Sequence, residues 1–352
     1  MKVAVLSYPM LFQSRGGLSM KVKRTVTALR EVGHDAKLFD STCEYLRDYD
    51  LVHVFAGYNG NHRIIEQAKR DGLPVVLSTI MNPPFTAAEG RRARVLNRIV
   101  GKFTGYKLVT SYWQIHTSVA LADQLVVLGS GEQRMLTEGF EADPAKVNIV
   151  HNGIGHEFFT ADPKEFLERY PQVRQPFLLH TGLIGDVKNQ LGLARSMAGS
   201  GVQVVMAGYA GDDVKDYLRA CLAEPDVVYL GELNHGSMVA SACAASAMIA
   251  IPSRHEGMPN SILEGLAADR PVVLTNNHVM DLLLPTDVAV EVAPDDHAAI
   301  RRAVDGFLQS PPPAGRARSV VEKMSWVAVA RHLSKVYEKA VTANARETAA
   351  AE

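Results

Sequence analysis

The stretch with the most chemistry in it is Arg254-His255-Glu256-Gly257-Met258-Pro259-Asn260-Ser261-Ile262-Leu263-Glu264. Two carboxylates, Glu256 and Glu264, stand eight positions apart across a short turn rich in helix-starting residues. The apolar run Met248–Pro252 before it reads as a strand, and the residues through Leu266 read as a helix, so the string is a strand-to-helix turn. The first backbone N–H groups of a helix have no partner within it, and they present partial positive charge to an anion such as phosphate. Met258, Asn260 and Ser261 supply such donors. The two carboxylates suit other parts of the same ligand, because each can accept hydrogen bonds from sugar hydroxyls. One acidic residue near a helix start would only complement the helix dipole; the whole string points to a ligand.

The elements that position this turn follow from hydrophobic patterning. Short, mostly apolar runs rich in Val, Ile and Leu recur at 3–6, 36–39, 51–55, 75–78, 125–128 and 147–150. A second series lies at 177–179, 202–206, 227–230, 248–251, 272–274 and 289–292. Such runs suit strands buried on both faces of a parallel sheet. Helix-like segments between them (20–31, 60–70, 190–200, 213–223) make the chain α/β with right-handed crossovers. Two doubly wound, Rossmann-like units are expected, with the break between His151 and Gln175. This gives one domain over 1–155 and a second over 156–325. Pro311-Pro312-Pro313 starts a connector, and a helix over 326–341 is expected to pack back on the first domain. The final ten residues read as frayed. In such folds ligands sit at the carboxyl ends of strands, here expected to face each other across an interdomain cleft.

Composition narrows the classes. The chain has 352 residues, 47% of them hydrophobic, enough for about two domains with their own cores. Its 37 basic residues balance 38 acidic ones, which speaks against a nucleic-acid partner. Cys43, Cys221 and Cys243 lie too far apart for a disulfide framework or metal knuckle and read as reduced thiols. No run reaches 18 apolar residues, and a cytoplasmic protein is expected. His151 with His156, or His278 with Asp281, lacks a third ligand at diagnostic spacing, so no metal is expected. There is no Walker loop, no G-x-G-x-x-G after the first strand and no G-x-S-x-G elbow, against kinase, dehydrogenase and hydrolase readings.

Glu256 to Glu264 resembles the E-x7-E signature of the retaining nucleotide-sugar glycosyltransferases of family 4, which have the two-domain GT-B fold. Further pieces resemble the same family in order. They are Gly16-Gly17 after the first strand, Gly33-His34-Asp35 at the entry to the second, and Asp50-Leu51-Val52-His53. Ala122–Val126, Val147–Ile154, and Gly182 with Lys188-Asn189-Gln190 follow.

The resemblance implies a hexosyl transfer from a nucleotide-diphosphate sugar to a saccharide or lipid-linked acceptor. It implies retention of configuration and neither metal nor cofactor. Glu256 would sit beside the donor sugar, Glu264 would bind the ribose, and Lys188 would neutralise the diphosphate. Gly16, Gly17 and Gly182 would let backbone approach the same donor, with Arg254 beside them. On the acceptor side the candidates are Arg15, Asn82, Arg94 and Arg98. Two departures stand out. Leu183 occupies the place of an arginine that shares the diphosphate charge, and the loop Thr79–Pro84 lacks a histidine found near the acceptor. They keep two alternatives open: a nucleotide-sugar-binding protein without transfer activity, and a GT-B-like nucleotide-sugar epimerase.

One more segment is distinctive. From 89 to 107 there are six basic residues and one acid, and Val95, Leu96, Ile99, Val100 and Phe103 form an apolar stripe. Such a helix packs on the first domain's sheet, binds an anionic lipid-linked acceptor, or makes peripheral contact with the inner membrane surface.

Overall fold

The computed structural model describes residues 1–13, 17–80, 86–104, 110–233 and 236–351. Each apolar run forms a strand, in two sheets whose pairings are all parallel. The first sheet holds β1 (Lys2–Leu6), β2 (Asp35–Leu38), β3 (Leu51–Phe55), β4 (Val75–Ser78), β5 (Gln124–Val127) and β6 (Val147–Ile149). Their order is β2-β1-β3-β4-β5-β6. The second holds β7 (Phe177–Thr181), β8 (Gln203–Ala207), β9 (Val227–Tyr229), β10 (Met248–Ile251), β11 (Val272–Thr275) and β12 (Ala289–Val292). Their order is β12-β11-β10-β7-β8-β9. Helices lie between the strands, as the apolar runs require, and bury both faces of each sheet.

The chain divides into two compact units. Unit 1 gathers Met1–Gly153, Val279–Asp281 and Trp326–Glu352; unit 2 gathers Ile154–His278 and Leu282–Ser325. In unit 1, Leu333, Val336, Tyr337 and Ala340 of the helix Trp326–Ala351 pack with Val22, Val26 and Leu29 of the helix Gly17–Glu31 against the β1 face. Tyr337 is fully buried, and its hydroxyl lies 2.7 Å from His53 Nδ1, while Ser78 Oγ lies 2.9 Å from Nε2.

The tail departs from expectation. Instead of fraying after 342, the last helix runs to Ala351. Its alanines favour helix, and Asn344 fixes it. Lys69 Nζ donates to Asn344 Oδ1 at 2.7 Å, and Asn344 Nδ2 donates to Gly72 O at 2.8 Å.

Candidate active site

Unit 2 has the strand order of a dinucleotide-type sheet, in which β7 and β10 are neighbours whose onward connections run to opposite edges. Such a switch point opens a crevice at the carboxyl ends of the two strands, the usual ligand position in open α/β sheets. Two loops border it. One follows β7 through Gly182 to Lys188; the other follows β10 through Arg254 to Asn260.

Lys188 ends the 3-10 turn Asp186–Lys188, and its Nζ lies 2.6 Å from Glu256 Oε1. Glu256 is buried, at 7% exposure, while the Lys188 side chain is 30% exposed. A buried carboxylate needs a cation and hydrogen bonds to offset its lost hydration, and Lys188 supplies both. The Glu256 backbone is held as well. Its N–H donates to Asn277 O at 3.0 Å, and Glu256 forms a parallel bridge with His278, which carries the β10–β11 pairing past the strand ends.

The two loops are clamped together. Arg254 N–H donates to Val187 O at 2.8 Å, and its guanidinium grips Asp186 through Nε (2.9 Å) and Nη2 (3.2 Å). Nη1 reaches Asp295 at 2.9 Å. Asn189 has a left-handed backbone (φ 56°), which points its amide at Pro252 O (2.9 Å) and Pro294 O (2.8 Å). Beneath them, fully buried His180 donates from Nε2 to Lys188 O at 3.1 Å. Burial, reinforced by the Lys188 charge, pushes this imidazole down to about 4, so it is neutral.

Two glycines bring the floor in close. A Cβ on Gly208, at the end of β8, would overlap the Gly182 carbonyl, and one on Gly265 would overlap Ile249 of β10. The helix Asn260–Ala267 therefore lies directly on β10. It starts at Asn260 after Pro259, which provides no side-chain cap. Met258 is buried just before it, and Asn260, Ser261 and Glu264 are half-buried.

Gly182, Lys188, Arg254 and Glu256 thus meet at one crevice. Arg254 spends its guanidinium on Asp186 and Asp295, and Leu183 stands 44% exposed on the loop without a cation in its place. In unit 1, Gly17 opens the helix Gly17–Glu31, while Arg15, Gly16 and Asn82 fall outside the described residues. Arg94 turns inward, bonding Tyr112 Oη (3.0 Å), Gly139 O (3.1 Å) and Glu141 (3.1 Å). Arg98 lies on the same helix, Ala87–Thr104. Three residues of that helix's apolar stripe are not packed away. Val95, Leu96 and Ile99 are 61%, 56% and 50% exposed, flanked by exposed Arg91 and Arg92. Reading the sequence missed His180 and Asn277. A histidine interrupting an apolar strand just before Gly182 was the available signal for the first; nothing marked the second.

Comparison with known proteins bears on this crevice. Residues 178–310 match the family model described as glycosyl transferases group 1. The chain is similar to D-inositol 3-phosphate glycosyltransferase of Kineococcus radiotolerans, 26% identical over 346 residues, covering 86% of this chain and 74% of that protein. Among solved structures it is similar to sucrose-phosphate synthase of Thermosynechococcus elongatus, at 14% identity and TM-score 0.75. That match covers 97% of this chain and 100% of the other. It is also similar to HepE of Anabaena in complex with UDP, at 13% identity and TM-score 0.71, covering 96% and 100%. Residues 178–310, which contain Lys188 and Glu256, are thus similar to the glycosyl transferases group 1 family within a chain of GT-B fold, and the two together support a role in glycosyl transfer.

Proposed function

We propose that this chain is a retaining, family 4 type hexosyltransferase that takes its sugar from a nucleotide-diphosphate donor. The observation that carries the reading is the Lys188–Glu256 pair at the β7/β10 switch point, beside an uncapped helix start. The donor diphosphate lies over the Asn260 helix start, with Lys188 Nζ against its oxygens. As the anomeric C–O bond breaks, the electron pair goes to the diphosphate, where Lys188 and the backbone amides stabilise the growing charge. Glu256 accepts hydrogen bonds from sugar hydroxyls, and Glu264 accepts them from the ribose. The acceptor hydroxyl attacks on the face the diphosphate leaves, and its proton passes to a diphosphate oxygen. Fixed protein charges do this work, so the reaction needs neither metal nor cofactor. HepE bound to UDP, and to UDP-glucose in a further structure, supports a nucleotide sugar as donor.

The acceptor belongs, in this reading, to polysaccharide, lipopolysaccharide or glycolipid assembly. Arg15, Asn82 and Arg98 remain its candidate contacts. Exposed Val95, Leu96 and Ile99 beside Arg91 and Arg92 support peripheral contact with an anionic membrane at the cytoplasmic face, where apolar side chains enter the headgroup boundary and arginines meet phosphates. Thermal denaturation against UDP, GDP, ADP, TDP and their sugars tests the donor half. A nucleotide at 100 times its Kd stabilises by about 2.7 kcal/mol, a shift of several degrees. A flat response to every one would overturn the reading.

A further inference from the structure

We propose that His180 is the positioning residue for Lys188: its neutral Nε2–H holds the Lys188 carbonyl, and so holds the Lys188 ammonium where the diphosphate must meet it. The inference rests on the donor-site reading above and adds a residue that touches neither donor nor acceptor. It stands on packing geometry. His180 is the fourth residue of β7, inside the sheet rather than on the loop, and it is completely buried. It therefore moves with the strand, not with the turn. Its Nε2 reaches Lys188 O at 3.1 Å, while buried Nδ1 has no partner, so Nδ1 is the bare acceptor nitrogen and Nε2 carries the hydrogen. Gly182 lies near both groups: a Cβ on it would sit 4.0 Å from His180 Cε1 and 3.9 Å from Lys188 Cε.

The other supports of this turn act elsewhere. Arg254 holds Asp186 from the solvent side, and Asn189, the residue after the lysine, is anchored by its own amide on Pro252 O and Pro294 O. Only His180 bonds the lysine's own carbonyl from the rigid sheet, among the described residues. Removing that donor would leave a half-buried carbonyl without its histidine partner and let the turn drift. Charge stabilisation of a leaving diphosphate is sensitive to displacements of that kind.

The test measures UDP affinity by calorimetry in the full chain. His180→Phe keeps an aromatic ring and removes the donor; it is expected to weaken UDP binding about tenfold. His180→Gln places an N–H near the Nε2 position and is expected to recover most of the affinity. His180→Asn, whose amide mimics Nδ1 instead, is not. In a Lys188→Ala background, His180→Phe is expected to change the affinity by less than twofold, since the group it positions is gone. Should His180→Phe fail to fold, the Gln and Asn pair carries the same comparison. Equal UDP affinity in the Gln and Asn variants, or an undiminished tenfold effect without Lys188, would overturn the proposal. A wild-type chain that binds no nucleoside diphosphate would overturn the donor-site reading instead, so the two failures are separable.

Discussion

Lys188 and Glu256, 68 residues apart, meet at 2.6 Å because β7 and β10 lie side by side although two strands separate them in sequence. The carboxylate is buried and the ammonium is partly open, so the pair presents a cation on a rigid anionic base.

Removing either member should therefore be costly for turnover. Lys188→Ala should lower the transfer rate by about 10²–10³, the usual loss for one preorganised charge at a leaving group. Glu256→Ala should abolish transfer while leaving the chain folded, seen as lost product with a retained cooperative melt. Unchanged turnover in the Glu256 variant would remove it from the proposed chemistry.

Arg254→Ala should separate loop order from stability. Its ion pairs with Asp186 and Asp295 are solvent-exposed, so the melt should move by under about 1 kcal/mol. Loosening the Lys188 turn should still raise the donor KM several-fold. A large loss of stability with unchanged KM would mean that Arg254 serves the fold alone.

The helix Ala87–Thr104 makes a membrane prediction. Val95→Asp, Leu96→Asp and Ile99→Asp, made together, should cut co-sedimentation with phosphatidylglycerol vesicles, while the melting temperature barely moves because all three side chains are exposed. Wild-type binding should also weaken as salt rises. Equal sedimentation of wild type and triple variant would exclude this face.

Acid should destabilise the protein before its carboxylates titrate. Burial pushes His53 down to about 3, with the Lys21 charge adding to it, and His180 down to about 4. An unfolded histidine titrates at about 6.5. Below that pH the unfolded chain binds protons that the folded chain does not, so stability present near neutrality is lost as pH falls from about 6.5 towards 4. Each histidine contributes a slope of up to about 1.4 kcal/mol per pH unit. Tm measured from pH 7.5 to 4.5 should fall, and His53→Gln should flatten the fall.

Much of this was legible in the sequence, for a physical reason. A strand buried on both faces is mostly apolar, so β1 to β12 announced themselves to within a residue or two. Glu256 stood out as a carboxylate in a strand-to-helix turn, whereas Lys188 was singled out only by the family resemblance. The rest depends on what is absent from local pattern. The stripe Val95, Leu96, Ile99 specifies an apolar helix face, yet periodicity is the same whether that face is covered or bare. His180 looked like a strand end, because its partner is a backbone carbonyl, which no residue type signals. Arg254 read as a residue beside the donor, and only the fold shows that Asp186 and Asp295 reach its guanidinium. The tail failed for a related reason: Asn344 stabilises the last helix through Lys69 and Gly72, more than 270 residues away.

The helix Trp326–Ala351 also orders events during synthesis. Unit 1 needs Leu333, Val336 and Tyr337 to cover one face of its sheet, yet these residues leave the ribosome after all of unit 2. At about 5–20 residues per second, the interval between Gly153 and Trp326 is on the order of ten to thirty seconds. Throughout that interval this face has the helix Gly17–Glu31 but not the last helix on it, and His53 lacks the tyrosine hydroxyl it bonds in the finished protein. The half synthesised second is thus the first able to mature, and the half synthesised first is the last to close its core.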